Sequence, residues 1–332
     1  MKNKYNSIYA PYLTDFVALK RSLGFKYDDG EKICTYIDRF LFVHANSEIG
    51  ITKELADKWA QHGKDHSATY QYEKLSGLRQ FSEYLRSLGF QSYLTQLPKS
   101  PDYSYHPYIF TREEIEAVFK VCDGSRLKQR RTDSILLIMP CLLRLLYATG
   151  IRIGEALALK NEDVDLSQKC LTVKNTKNGR NRLVPFAESL ALVFSDYLRN
   201  RARLPIIDID KKSNAFFMNA MGLSCRDETV RLRFHQIMAK ANIKPVGLTK
   251  NVRIHDFRHS FACHSFVKLA NEGLDLYCSW PYLSTYLGHE SLSMTEQYIR
   301  ITEQSYPELL KGSEQLYANI LRMGAGEGKG GL

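Results

Sequence analysis

From Tyr12 to Phe90 apolar residues recur three and four positions apart, the spacing of helices that each bury one face. Phe16, Leu19 and Leu23 predict one such stripe, and Ile33, Ile37, Phe40 and Leu41 a second. Thr52 and Ser67 stand where the N-caps of two later helices are expected. The string RSLGF occurs twice, at Arg21–Phe25 and Arg86–Phe90, each time closing a helical pattern at glycine. Two similar C-caps explain this better than a duplication, because glycine commonly stands just past a helix end. Between Leu97 and Pro107 the periodicity stops and three prolines occur, the mark of an extended linker.

The helical pattern resumes at Thr111-Arg112-Glu113-Glu114, a capping box opening a helix toward Phe119. Asp133 to Thr149 predicts a strongly apolar helix stopped by Gly150, and Arg152 to Leu159 a short one. The period then changes to two: Leu171 and Val173 alternate with polar residues, Asn178-Gly179 is a hairpin turn, and Arg182 to Pro185 returns. Further helices are expected at 188–201, 226–241, 255–270 and 282–287. The fold class expected is mainly α, with an all-helical domain over residues 1–97 and a linker over 98–110. A larger α+β domain with a small antiparallel sheet follows over 111–323, then a Gly-rich tail, 324–332, expected to be disordered.

Composition narrows the partner. Across 332 residues, 46 Lys and Arg against 36 Asp and Glu give a net charge of +10, which favours a polyanion. Seven cysteines, an odd number without any C-x-x-C pair, suit reduced thiols rather than a disulfide framework. Met1 to Tyr12 lacks the apolar core of a signal peptide. The longest apolar run, Ile135 to Ala148, is broken by Arg144 and is too short for a bilayer. A cytoplasmic protein without membrane contact is expected. Neither a P-loop nor a GxGxxG motif occurs, so nucleotide binding is not indicated.

Four separated segments hold polar residues beside apolar helices. Arg152 and Glu155 stand three apart after Gly150, a spacing that also suits an ordinary helix-surface ion pair. Lys174, Lys177, Arg180 and Arg182 surround the hairpin tip, a pattern shared with many solvated turns. His255 and Arg258 share a helical face near a helix N-terminus, where anions are favoured. His259 could pair with His255 on a metal, but the glutamate of H-E-x-x-H is absent and no metal site is expected. Last, Gly288-His289 ends a helix nine residues before Tyr298, one of 20 tyrosines.

Singly these segments are weak; in this order they resemble the catalytic domain of the tyrosine recombinase (phage integrase) family, from about Thr111 to Ile301. The match is to a two-domain Xer/Cre-like or transposon-encoded type. The resemblance implies Arg152, Lys177, His255, Arg258, His289 and Tyr298 as catalytic residues, with Glu155 in support. Lys177 is selected over Lys174 because it lies eight residues before Pro185. One departure is the stretch Asn271–Pro281, which lengthens the interval between Arg258 and His289.

The resemblance implies cleavage and rejoining of double-stranded DNA through a 3′-phosphotyrosine, with no ATP, metal or other cofactor. It further implies an N-terminal SAM-like core-binding domain that completes a C-shaped clamp, and a homo-oligomer, dimer to tetramer, on DNA. Accessory proteins or other recombinases are additional partners of such systems. Lys20, Arg21, Lys26, Lys74, Arg79, Arg86, Lys174 and Arg180 are the candidate DNA contacts. A helix over Gly312–Arg322, carrying Leu316, Ile320 and Leu321, would dock into a neighbouring protomer. The competing readings are a type IB topoisomerase and a catalytically silent DNA-binding regulator of the same fold.

Overall fold

The computed structural model describes residues 4–44, 48–63, 66–100, 107–124, 134–174, 181–245, 251–289, 298, 301 and 302. The chain divides into two compact units, Met1–Ser104 and Tyr105–Leu332. Among the described residues no helix is long and apolar enough to cross a membrane.

The first unit contains helices α1 (Ala10–Ser22), α2 (Asp28–His44), α3 (Lys53–Gln61) and α4 (Ala68–Ser87). Thr52 accepts from the Leu55 N–H and Ser67 from the Tyr70 N–H, so both expected N-caps start their helices. The buried stripe of α1 is Leu13, Phe16 and Val17, continued upstream by Tyr9. It turns Leu19 and Leu23 outward, 43% and 64% exposed, which corrects the expected Phe16–Leu19–Leu23 face. Ile37, Phe40 and Leu41 of α2 are buried as expected. The two RSLGF strings end α1 and α4 in one geometry. Gly24 and Gly89 take φ of 90° and 92°, and Phe25 and Phe90 each donate back to the carbonyl five residues earlier.

The second unit opens with α5 (Arg112–Asp123), whose Thr111–Glu114 capping box is formed in both directions. The central helix α6 (Met139–Thr149) buries Leu142, Leu143, Leu145 and Leu146 and packs against α5, α8 (Glu188–Arg201) and α10 (Asp256–Asn271). It begins later than the apolar run: Pro140, lacking an N–H, fits the first turn, where amides have no helical partner anyway. After α7 (Ile153–Leu157) come strands β1 (Val164–Asp165), β2 (Cys170–Val173) and β3 (Arg182–Pro185). They form an antiparallel sheet in that order, with Leu171 opposite Val184 and Val173 opposite Arg182.

Among the described residues, helices α9 (Asp227–Lys240) and α11 (Leu276–Leu287) follow. The structure corrects the start of α11, expected at residue 282. Most of the 271–281 insertion is its first turns, with Pro281 inside. Pro281 removes one donor from the ladder, and the helix continues because Leu283 and Leu287 are buried with Ala262 and Phe266 of α10. The Gly-rich tail and the segment 312–322 lie outside the described residues.

Candidate active site

Gly150 sets the entry to the site. It ends α6 in the left-handed region, φ 62°, and a Cβ there would come within 2.5 Å of the Phe261 ring. The chain can therefore turn sharply and deliver Arg152 to the N-cap of α7. Glu155 accepts from the Arg152 N–H at 3.0 Å and from Arg152 Nη1 at 3.0 Å. It also accepts both terminal nitrogens of Arg182, at 3.0 and 2.7 Å. Burial would raise the Glu155 pKa, but the hydrogen bonds and charges of Arg182 and Arg152 prevail and hold it at about 2. It is an anchor, not a proton donor, at neutral pH.

Helix α10 supplies His255 at its N-cap, Arg258 and His259. Arg258 is 2% exposed. It donates to the carbonyls of Gly150 at 2.7 Å and Leu287 at 2.9 Å, and so ties the ends of α6 and α11 together. Both acceptors stand at helix C-termini, where a cation is favoured. Burial lowers its pKa only to about 10, so it stays charged.

Gly288, at φ 67°, ends α11 and presents His289. The His289 ring stacks on Tyr298 with centroids 5.8 Å apart and planes at 20°. Tyr298 is 4% exposed, lies beside the Arg258 guanidinium and touches the His259 ring at 5.3 Å between centroids. His259 in turn meets His255 edge-on at 4.9 Å. Burial, then the charges of Arg258 and Arg152, depress His255 to about 4 and His289 to about 3. His259 is pressed to about 3, by burial first and then by its histidine and arginine neighbours. Burial raises Tyr298, and Arg258 and Arg152 oppose that rise. The result is two fixed arginine charges, neutral histidines and a phenol gathered at one place, a setting complementary to an anion.

The structure thus brings together Arg152, Glu155, His255, Arg258, His289 and Tyr298; Lys177 and Arg180 lie outside the described residues. It also adds Arg182 and His259. Arg182 was legible in principle, because it lies two residues before buried Val184 and shares its strand face, where a charge needs a partner. Among the described residues no group of three His, Cys, Asp or Glu side chains is placed to hold a metal ion.

The candidate DNA contacts fare unequally. Lys74 is corrected: it is 3% exposed, lies over the Trp59 ring at 4.9 Å and donates to the His62 carbonyl. Burial lowers its pKa, and it is not placed to meet a phosphate. Lys174 is exposed but paired with Glu162 and Asp163. Arg21 pairs with Glu31, Arg79 with Glu83 and the Thr95 carbonyl, and Lys20 lies over Phe16 and Tyr27. Lys26 and Arg86 are exposed.

A helical unit with a three-stranded antiparallel sheet, and a tyrosine seated among arginines and histidines from separate helix ends, defines the class of tyrosine-type site-specific recombinases. The chain belongs to the phage integrase family, whose model matches residues 109–305. Tyrosine recombinase XerC of Bacillus pumilus is 30% identical over 302 residues, spanning 90% of this chain and 86% of its own. A protein of Sinorhizobium fredii named integrase/recombinase y4rB is 29% identical over 315 residues, 92% of this chain and 95% of its own. In fold, the chain is similar to the Tn1549 transposon integrase solved with circular intermediate DNA. The TM-score is 0.62 at 20% identity, covering 86% of this chain and 94% of that one. The protein is accordingly a site-specific DNA recombinase.

Proposed function

We propose that Tyr298 is the nucleophile of this recombinase and that the site is built for one phosphodiester of double-stranded DNA. The phenol oxygen bonds to phosphorus as the bond to the 5′-oxygen breaks, leaving a 3′-phosphotyrosine and a free 5′-hydroxyl. Phenols ionise near pH 10, so the proton must leave as attack proceeds. His255, held neutral, accepts it. Arg152 and Arg258 hold the non-bridging oxygens, and His289 adds a neutral N–H donor. Lys177 protonates the departing oxygen. Reversal with a different 5′-hydroxyl rejoins the strand, so the ester's energy is retained in the intermediate and no ATP is consumed.

The observation that carries this reading is the seating of Tyr298 against the His289 and His259 rings and beside Arg258, the arginine fixed by the Gly150 and Leu287 carbonyls. The first unit is proposed as the core-binding domain, with the protein acting as a homo-oligomer on DNA in the cytoplasm, in the service of a mobile element. The kinship to XerC and y4rB and the fold likeness to a transposon integrase support this role. Incubation with nicked duplexes drawn from the DNA flanking its own gene tests the chemistry. An SDS-resistant protein–DNA adduct is expected with wild type and none with Tyr298→Phe. An adduct that survives Tyr298→Phe sinks the assignment.

A further inference from the structure

One side chain of β3 grips two other elements. Arg182 spans both oxygens of Glu155, at 3.0 and 2.7 Å, and donates from Nε to the Tyr286 carbonyl at 3.2 Å. A Cβ on Gly288 would lie 3.0 Å from Arg182 Nη1, so the guanidinium fills the space beneath the turn that leads to His289. Tyr286 returns the tie, its hydroxyl donating to the Pro185 carbonyl at 2.9 Å. Exposed ion pairs contribute little, but this one is bidentate, with side chains 13% and 7% exposed.

The acceptor capacity of Glu155 gives the arrangement its meaning. A carboxylate offers about four lone-pair directions. Oε1 takes Arg152 Nη1 and Arg182 Nη1, while Oε2 takes the Arg152 N–H and Arg182 Nη2. Glu155 is therefore full, and Arg152 reaches it through a single side-chain nitrogen. Among the described residues Arg152 makes no other side-chain hydrogen bond, which leaves the rest of its fork for a ligand. Without Arg182 the buried carboxylate loses two donors, and Arg152 is the cation at hand to replace them. Its fork would close onto Glu155 in the bidentate geometry it favours, and donors for a phosphate would be withdrawn.

We propose that Arg182 is a positioning residue: by saturating Glu155 it keeps the Arg152 fork available to the scissile phosphate. The inference rests on the proposed roles of Arg152 and Tyr298. It assigns to β3 a part in ordering the arginine that is separate from the role proposed for Lys177.

The test is a double-mutant cycle on the full chain, read as the single-turnover rate of adduct formation on nicked duplex at saturating protein, with DNA affinity measured alongside. Arg182→Met is expected to slow adduct formation about tenfold or more while DNA affinity stays within about threefold. In a Glu155→Gln background, where no carboxylate competes for Arg152, the same change is expected to slow it by less than about twofold. A packing role alone would give equal losses in both backgrounds, and that result overturns the proposal. So does an Arg182→Met protein as fast as wild type. If Arg182→Met does not fold, Arg182→Lys decides: it keeps the charge but cannot span both oxygens, and a wild-type rate overturns the proposal. A wild type that forms no adduct, or an adduct independent of Tyr298, overturns the underlying chemistry instead.

Discussion

Arg258 Nη1 donates to the carbonyl oxygen of Gly150 at 2.7 Å, across 108 residues of sequence. Its Nη2 meets the Leu287 carbonyl, so one guanidinium is fixed by the ends of two helices beside Tyr298. Lysine carries the charge but cannot make this fork. Arg258→Lys is expected to lower adduct formation by a factor of about 100 or more, the scale on which loss of one preorganised donor is felt. Single-turnover trapping on nicked duplex checks it, and a loss under threefold would show that the fork is dispensable.

Gly150 is expected to tolerate no side chain. Alanine would have to adopt φ near 62° and place its Cβ 2.5 Å from Phe261 and 2.9 Å from Leu287. Strain of about 1 kcal/mol for the backbone and 1–3 kcal/mol for overpacking add on this route. Urea unfolding should show Gly150→Ala less stable by about 2–4 kcal/mol, and an unchanged midpoint would contradict the geometry. Gly154, whose Cβ would meet nothing within 4 Å, is the matched control.

The histidines make stability of the DNA-free protein fall toward acid pH. His255, His259 and His289 have folded pKa values of about 4, 3 and 3, below the 6.5 of a free histidine. The unfolded chain therefore binds more protons between about pH 6.5 and 4, and stability drops as pH falls through that window. Glu155, held at about 2 against an ordinary 4.5, adds a second loss below about pH 4.5. Each tenfold difference in proton affinity is worth about 1.4 kcal/mol, and each kcal/mol about 2–4 °C in Tm for a domain of this size. Thermal melts from pH 7.5 to 4.5 should show the fall, and His289→Gln should flatten it. A melting temperature constant over that range would refute the linkage.

Much of this was legible in local sequence. The Thr111–Glu114 capping box, the caps at Thr52 and Ser67, and the glycines after α1 and α4 act within a few residues, so their spacing carries their meaning. What escaped depends on distant partners. The proline at 281 reads as a break, yet α11 runs through it because α10 covers its buried face. Lys74 reads as a candidate phosphate contact, and only the folded unit shows it over Trp59. Arg182 meets Glu155 from 27 residues away and the Tyr286 carbonyl from 104, beyond any helical or strand period.

The position of Tyr298 decides whose site it serves. It is buried with Ala262, Phe266, Leu283 and Leu287 of its own chain, and its phenol meets Arg258 and His289 of that chain. Leaving for a neighbour's site would expose a nearly fully buried aromatic ring, a loss of about 1.5–3 kcal/mol in transfer alone, before any hydrogen bond is broken. Cleavage in cis is therefore expected. Tyr298→Phe protein mixed with Arg152→Lys protein, each inactive alone, should form no adduct on a nicked duplex carrying sites for two protomers. In cis, one partner lacks the nucleophile and the other the clamp. Recovery of adduct in the mixture, on the tyrosine-bearing chain, would mean that the nucleophile crosses to a neighbour and that the docked position described above is left before cleavage.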